Sequence, residues 1–179
     1  MNTLKYLILI GFLSAAMALP ATASPAGNCG SEGQSAAAYP GDFSQQPNTL
    51  LRKIGFDADR VMDHAVTLKN FKGQHDIGWF ANADELSRLR AEINDMGAKL
   101  CRLEAVRGAV APRQRKAIDR VATTAQLMAD NADAAIAFAN SHRDDLWNPA
   151  YVKYVHNLYG EANQLMKVTG RAVKEYHQG

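Results

Sequence analysis

The chain has 179 residues, of which 47% are hydrophobic and 21% are charged, and its formal net charge at neutral pH is +2. A chain of this length and composition has enough apolar side chains to form the core of one domain. The near-neutral charge argues against a nucleic-acid-binding protein, which would need a strong basic excess.

Residues 1–23 have the pattern of a secretory signal peptide. Lys5 supplies the positive charge, residues 6–19 form the apolar stretch, and residues 21–23 fit a small-x-small cleavage site. An uncleaved membrane anchor is the alternative, but about 14 apolar residues are too few to span a bilayer. The sequence therefore predicts an exported protein, periplasmic or extracellular, with no transmembrane span after cleavage.

Residues 24–48 are interpreted as a flexible leader, because they are rich in Gly, Ser, Ala, Gln and Pro and have no apolar periodicity. The leader contains Cys29, and the second cysteine, Cys101, lies near the end of the second predicted helix. An even number of cysteines in an exported chain favours a disulfide. We therefore predict a Cys29–Cys101 bridge, with two unpaired thiols or an intermolecular bridge as the alternatives.

The first two predicted helices have apolar residues at alternating steps of three and four, which is typical of an amphipathic helix. The first helix extends from about Thr49 to Phe71. Asn82 is predicted to cap the second helix, with Glu85 completing a capping box three residues later. Gly108 is predicted to end that helix.

The third and fourth helices have the same periodicity. Pro112 suits the first turn of the third helix, which extends to about His142. Asn148 is predicted to cap the fourth helix, with Pro149 at its first position. Connections of about five to ten residues favour antiparallel neighbours. The predicted fold is an all-α, antiparallel up-down-up-down four-helix bundle over residues 49–179.

The sequence lacks the usual cofactor motifs of helical bundles. Neither the cysteine pair followed by histidine of covalent haem proteins nor the Glu-x-x-His motif of di-metal bundles occurs. Met62 and His177 resemble the axial ligands of four-helix b-type cytochromes, but antiparallel pairing separates them by ~20 Å along the bundle. We interpret His64 and His156 as partly buried, hydrogen-bonded side chains. With no nucleophile motif either, we expect no cofactor, no metal site and no enzymatic activity.

The first candidate site is an aromatic end, where the connections after the first and third helices are expected to meet. Besides Phe138, its residues are Phe71, Trp79, Phe80, Trp147, Tyr151 and Tyr154. Alanines on the third helix oppose them, and large side chains opposite small ones are an ordinary way to fill a core. The alternative is a shallow apolar pocket in which tyrosine hydroxyls and tryptophan N–H groups orient a small ligand.

The second candidate site is the other, basic end of the bundle. Residues 99–120 contain seven basic side chains and only two acidic ones. The candidate residues are Arg102, Arg107, Arg113, Arg115, Lys116 and Arg120. A solvated helical tip explains this pattern. The functional alternative is a surface that binds an anionic partner, such as lipid headgroups, an envelope polysaccharide or an acidic protein.

Several short runs between residues 60 and 176 form a recognisable set. They are Leu103-Glu104 with Arg107, residues 116–121, residues 127–131, Leu146-Trp147, Tyr151, Tyr154 and Asn157-Leu158-Tyr159. Together they resemble an uncharacterised family of exported helical proteins from environmental bacteria. The resemblance implies export and a helical fold, and it implies no activity, cofactor or catalytic residue.

The sequence thus predicts an exported, non-enzymatic four-helix bundle that acts as a binding or scaffold module of the cell envelope. An anionic envelope component or a protein is its expected partner, and a homodimer is compatible with this role. The alternative is a carrier of a small ligand or cofactor that uses the aromatic end. A third hypothesis, a hydrolase with a dispersed site, has no supporting motif.

Overall fold

The computed structural model describes residues 46–177 except Gly73, His75 and Asp76, and all regular structure in this part is helical. The helices are α1 (Gln46–Phe71), α2 (Trp79–Val106), α3 (Pro112–Ser141) and α4 (Pro149–His177), and a 3-10 turn (Arg107–Ala109) follows α2. The predicted all-α fold with four helices is confirmed. The predicted signal peptide, most of the leader and Cys29 lie outside the described residues. Helix α1 begins at Gln46, so residues 46–48, which the sequence assigns to the leader, belong to this helix.

The four helices pack around one apolar core, with α1 and α3 each contacting both α2 and α4. The core consists of the apolar stripe of each helix, that is, of the residues that recur at steps of three and four along it. Every helix contributes fully buried residues: Leu51, Ile54, Val61, Leu89, Ile93, Met96, Val121, Met128, Leu158 and Leu165. Burying one such stripe per helix is the main source of stability in a bundle of this kind. Within the described part, no helix has the length and apolar composition needed to cross a membrane.

Helices α1 and α4 approach each other closely at Gly55. A Cβ atom at this position would lie 2.8 Å from the Thr169 hydroxyl oxygen. That hydroxyl is buried and donates a hydrogen bond to the Leu165 carbonyl at 2.9 Å. Glycine therefore allows a backbone approach that a side chain would prevent.

Two of the predicted helix starts are confirmed. Pro112 is the first residue of α3, where its missing N–H removes no helical hydrogen bond. Asn148 precedes α4, and its Oδ1 accepts a hydrogen bond from the Ala150 N–H at 3.0 Å. This contact satisfies one of the N–H groups that the first turn of a helix leaves without a partner.

The predicted capping box of the second helix is wrong. Helix α2 begins at Trp79, before Asn82, and its first turn has no side-chain cap. Asn82 is instead fully buried, and its Oδ1 accepts a hydrogen bond from the Tyr151 hydroxyl at 3.1 Å. Glu85 lies with its Oε1 2.7 Å from His64 Nδ1 on α1. Both side chains make contacts between helices in place of the predicted local cap.

Ion pairs connect α1 to α2 along their common surface. Lys99 Nζ donates a hydrogen bond to Asp57 Oδ2 at 2.8 Å, and both side chains are largely buried. Lys99 also pairs with the exposed Asp95 one helical turn away. Arg60 pairs with Glu92 further along the same surface. The contact between α1 and α2 therefore includes ion pairs in addition to apolar packing.

Candidate functional site

A groove of about 450 Å³ lies between the last turns of α1 and the first turns of α4. Its volume falls in the range of about 300–1,000 Å³ that small-molecule sites occupy. Its apolar lining consists of Leu68, Trp147, Pro149, Tyr151, Val152 and Val155. Its polar lining consists of Lys69, Lys72, Lys153 and His156. No acidic side chain from the described residues lines it.

Three of the six apolar side chains that form the floor of the groove belong to the bundle core. Leu68, Tyr151 and Val155 are buried core residues, so packing holds their side chains in place. Trp147 lies edge-on to the Tyr151 ring, with 6.4 Å between ring centroids. The Asn148 cap fixes the first turn of α4 next to this tryptophan. Core packing and the helix cap therefore hold this part of the floor in place without a ligand.

The cationic side chains lie around the rim. Lys69 is exposed on the last turn of α1, with its Nζ 4.9 Å from the centroid of the Tyr159 ring. Lys72 follows the end of α1, and Lys153 is exposed on the first turns of α4. His156 is exposed as well, so its predicted partial burial is wrong. The partly buried, hydrogen-bonded state predicted for His64 is confirmed.

The groove includes only two of the seven aromatic residues that the sequence places at this end, Trp147 and Tyr151. The five that do not line it are Phe71, Trp79, Phe80, Phe138 and Tyr154. Trp79 donates its indole N–H to the Ala139 carbonyl at 2.8 Å, and Phe80 is 77% exposed. The Tyr151 hydroxyl donates to Asn82, so neither the Trp79 N–H nor the Tyr151 O–H has a hydrogen left to donate to a ligand.

Sequence reasoning missed the lysines of the groove. Lys69 directly follows the core residue Leu68, and Lys153 lies two positions after the buried Tyr151. Such flanking positions are where long cationic side chains usually border an apolar surface. The sequence feature that could have indicated the groove was therefore a lysine next to the apolar stripe of α1 and another next to that of α4. Recognising it required knowing which flanks of α1 and α4 face each other.

The basic end has fewer available cations than the sequence indicated. Arg107 donates to both carboxylate oxygens of Asp119, at 2.7 and 3.0 Å, and the side-chain hydrogen bond lowers the pKa of Asp119. Arg120 Nη2 donates to both carboxylate oxygens of Glu175 on α4, to Oε1 at 3.1 Å and to Oε2 at 3.0 Å. The other candidates are exposed and have no ion-pair partner among the described residues: Arg102, Arg113, Arg115 and Lys116.

A third polar cluster, between α3 and α4, was not predicted. Asn131 Nδ2 donates to Glu161 Oε1 at 2.6 Å, and Asn157 Nδ2 donates to Asn131 Oδ1 at 3.2 Å. Glu161 Oε2 is buried without a hydrogen-bond partner in the described part of the chain. Burial raises the pKa of Glu161 to about 7; the hydrogen bond from Asn131 opposes this shift and the charge of Asp130 adds to it.

We expect this carboxyl group to make stability fall as the pH rises. Its ordinary pKa of 4.5 applies to the unfolded chain, so the folded state binds the proton more tightly. The contribution is complete below about pH 4.5 and is lost as the pH rises through about 7. Glu161→Gln should therefore leave stability unchanged at pH 4.5 and raise it by about 1–2 kcal/mol at pH 8, less than the full shift implies because the group is half-buried.

Chemical denaturation of both proteins at several pH values measures this difference. Glu104→Gln is the matched control, because Glu104 is exposed and makes only a 3.7 Å contact with Arg107. A stability difference between wild type and Glu161→Gln that stays constant from pH 4.5 to pH 8 would contradict the expected titration.

Comparison with known proteins adds no family to these observations. Within the described residues, no group of three or more His, Cys, Asp or Glu side chains is arranged to hold a metal ion. The chain matches no protein-family model, no curated protein and no solved structure. The resemblance to an exported helical family therefore stays a prediction, and the groove is the feature on which a function can be argued.

Proposed function

We propose that the chain is an exported, non-enzymatic binding protein that holds a small ligand in the groove between α1 and α4. The observation that carries this proposal is a groove of about 450 Å³ with a mainly apolar lining. Apolar concave sites with a few polar groups are the usual form of small-molecule sites. This is the carrier role, and it uses Trp147 and Tyr151 from the proposed aromatic end.

Export, a periplasmic or extracellular location and the Cys29–Cys101 bridge are parts of the same proposal. They are supported by the signal-peptide pattern and the even number of cysteines. We also propose that the helices alternate in direction. In support, Asp57 contacts Lys99 and the later His64 contacts the earlier Glu85, as antiparallel neighbours would.

A role at an anionic partner surface is the second candidate. It is supported by the exposed cations at the basic end, of which Arg113, Arg115 and Lys116 follow each other closely at the start of α3. Their charge is concentrated at a helix N-terminus, where the helix dipole adds a partial positive charge. An envelope component or an acidic protein is the expected partner, and a homodimer is compatible with either role.

Occupying the groove with a larger side chain tests the carrier role. N-phenyl-1-naphthylamine is a neutral apolar dye whose fluorescence rises when it leaves water. We expect saturable binding to the wild-type protein and at least tenfold weaker binding to Val152→Trp. The loss of about 60 Å² of buried apolar contact costs about 1.5 kcal/mol, which is about tenfold in affinity.

Val66→Trp is the matched control, because Val66 is exposed on α1 and does not line the groove. Thermal unfolding of both variants verifies that the bundle remains folded. Equal dye binding by Val152→Trp and Val66→Trp would place the dye elsewhere on the protein and overturn the proposed carrier site.

A further inference from the structure

We propose that the groove between α1 and α4 selects an amphipathic organic anion, a ligand with an apolar body and one acidic group. This inference rests on the proposed function, because it specifies the ligand class of the same site. It follows from the charge of the rim, the contacts of its cations and the small number of neutral polar groups among the described residues of the floor.

Among the described residues, the titratable side chains of the rim are all basic. Its polar side chains are Lys69, Lys72 and Lys153 together with His156, and no carboxylate of the described residues lines the groove. Elsewhere the protein places acidic and basic side chains together, as in the contact of Lys99 with Asp57. Like charges around a low-dielectric concave surface focus a positive potential on it. The groove therefore attracts anions and disfavours cationic ligands.

The cations of the rim have not been neutralised within the described part of the protein. No carboxylate lies within ion-pair distance of Lys69, Lys72 or Lys153 in that part. The Lys69 ammonium group lies 4.9 Å from the centroid of the Tyr159 ring. An ammonium group over an aromatic face keeps its charge and its capacity to bind an anion. All three lysines can therefore contribute to holding an acidic group.

The floor offers little to a neutral polar ligand. Its side chains are Leu68, Trp147, Pro149, Val152 and Val155, together with Tyr151. The Tyr151 hydroxyl already donates its hydrogen bond to Asn82. A sugar or polyol would lose hydrogen bonds with water and gain few from these side chains. An apolar body buried on the floor with an acidic group at the rim satisfies both regions.

Three probes with the same alkyl chain test the selection: decanoate, decan-1-ol and decylamine. Isothermal titration calorimetry on the purified chain at about 0.1 M salt measures their affinities. We expect decanoate to bind about tenfold more tightly than decan-1-ol, and decylamine to bind most weakly. Raising the salt to about 1 M shortens the screening length from about 10 Å to about 3 Å and should weaken decanoate binding alone.

Removing charge from the rim should remove the preference. Lys72→Gln/Lys153→Gln is the informative variant, because both side chains are exposed and make no ion pair with a described residue. We expect the preference for decanoate over decan-1-ol to fall to about threefold or less. Lys167→Gln/Lys174→Gln removes the same charge from exposed positions of α4 outside the groove, and it should retain the preference.

The outcomes separate the two proposals. Decan-1-ol and decylamine binding as tightly as decanoate would overturn the anion selection and leave the carrier role standing. Loss of the preference in both double variants would overturn the groove as its source. If none of the three probes and no N-phenyl-1-naphthylamine binds, the carrier role itself is wrong.

Discussion

We expect Lys99→Met to lower the free energy of unfolding by about 3 kcal/mol near neutral pH. Lys99 Nζ lies 2.8 Å from Asp57 Oδ2, and the two side chains are only 14% and 7% exposed. Methionine matches the length of the lysine stem but leaves the Asp57 carboxylate buried without its cation. Breaking a buried ion pair from one side costs more than the pair itself contributes, because the remaining charge has lost its water.

The pH dependence and a second substitution identify the cause. Burial already raises the pKa of Asp57, while the hydrogen bond from Lys99 opposes this shift. Without Lys99 that pKa rises further, so the stability deficit should shrink as the pH falls through it and the carboxyl group takes up a proton. Asp57→Leu in the Lys99→Met background should recover most of the loss, because an apolar pair of similar volume replaces the ion pair.

Asp95→Asn is the matched control for this experiment. Asp95 is the second carboxylate partner of Lys99, but its side chain is 63% exposed. We expect its loss to cost less than about 1 kcal/mol, as for other exposed pairs. Urea denaturation of all four proteins measures these differences. If Lys99→Met lowers the free energy of unfolding by no more than Asp95→Asn does, burial of Asp57 does not make the loss of its cation more costly.

The helices were predictable from the sequence because their signals are local and repeated. Apolar residues recur at helical spacing along each stripe, so a local irregularity does not change the assignment. The starts of α3 and α4 were also predictable, since Pro112 and Asn148 act within one helical turn of their own positions. Such signals need no knowledge of the neighbouring helices.

The contacts between helices were not predictable in the same way. Asn82 and Glu85 have the spacing of a capping box, yet Tyr151 on α4 and His64 on α1 bind their side chains. A buried hydrogen bond between helices outweighs a solvent-exposed cap, because an unpaired buried amide costs more than an uncapped helix end. Phe80 illustrates the same limit, since an aromatic residue beside the core is 77% exposed.

Predicting the groove requires both the local sequence pattern and the contacts between helices. Each helix contributes a core residue with a lysine beside it, and this pattern is visible in the sequence around Leu68 and around Tyr151. The rotation of α1 and α4 about their axes decides whether the two flanks meet. The close approach at Gly55, further along the same pair of helices, is one determinant of that geometry. The site is therefore a property of the helix pair.

We expect Tyr151→Phe to lower the free energy of unfolding by about 2 kcal/mol. Tyr151 and Asn82 are both fully buried, and the hydroxyl donates to Asn82 Oδ1 at 3.1 Å. Phenylalanine retains the ring packing and removes only the donor, so the amide oxygen is left buried without its partner. Burial also raises the pKa of Tyr151, so this hydroxyl should remain protonated at a pH where exposed tyrosines ionise.

Tyr154→Phe is the matched control, because Tyr154 is half-buried at the same end of the bundle and does not line the groove. Its substitution should change stability by less than about 0.5 kcal/mol in urea denaturation. An equal loss of stability in both variants would mean that the hydrogen bond from Tyr151 to Asn82 does not stabilise the protein measurably.

Ligand binding provides a second test of the Tyr151 hydroxyl. Because its hydrogen bond is committed to Asn82, this hydroxyl has no donor left for a ligand in the groove. We therefore expect Tyr151→Phe, while folded, to bind N-phenyl-1-naphthylamine and decanoate within about twofold of wild type. A much larger loss of affinity at unchanged helicity would mean that the hydroxyl contacts the ligand directly. In that case the acidic group would be held partly by the floor, and the lysines of the rim would not be its sole partners.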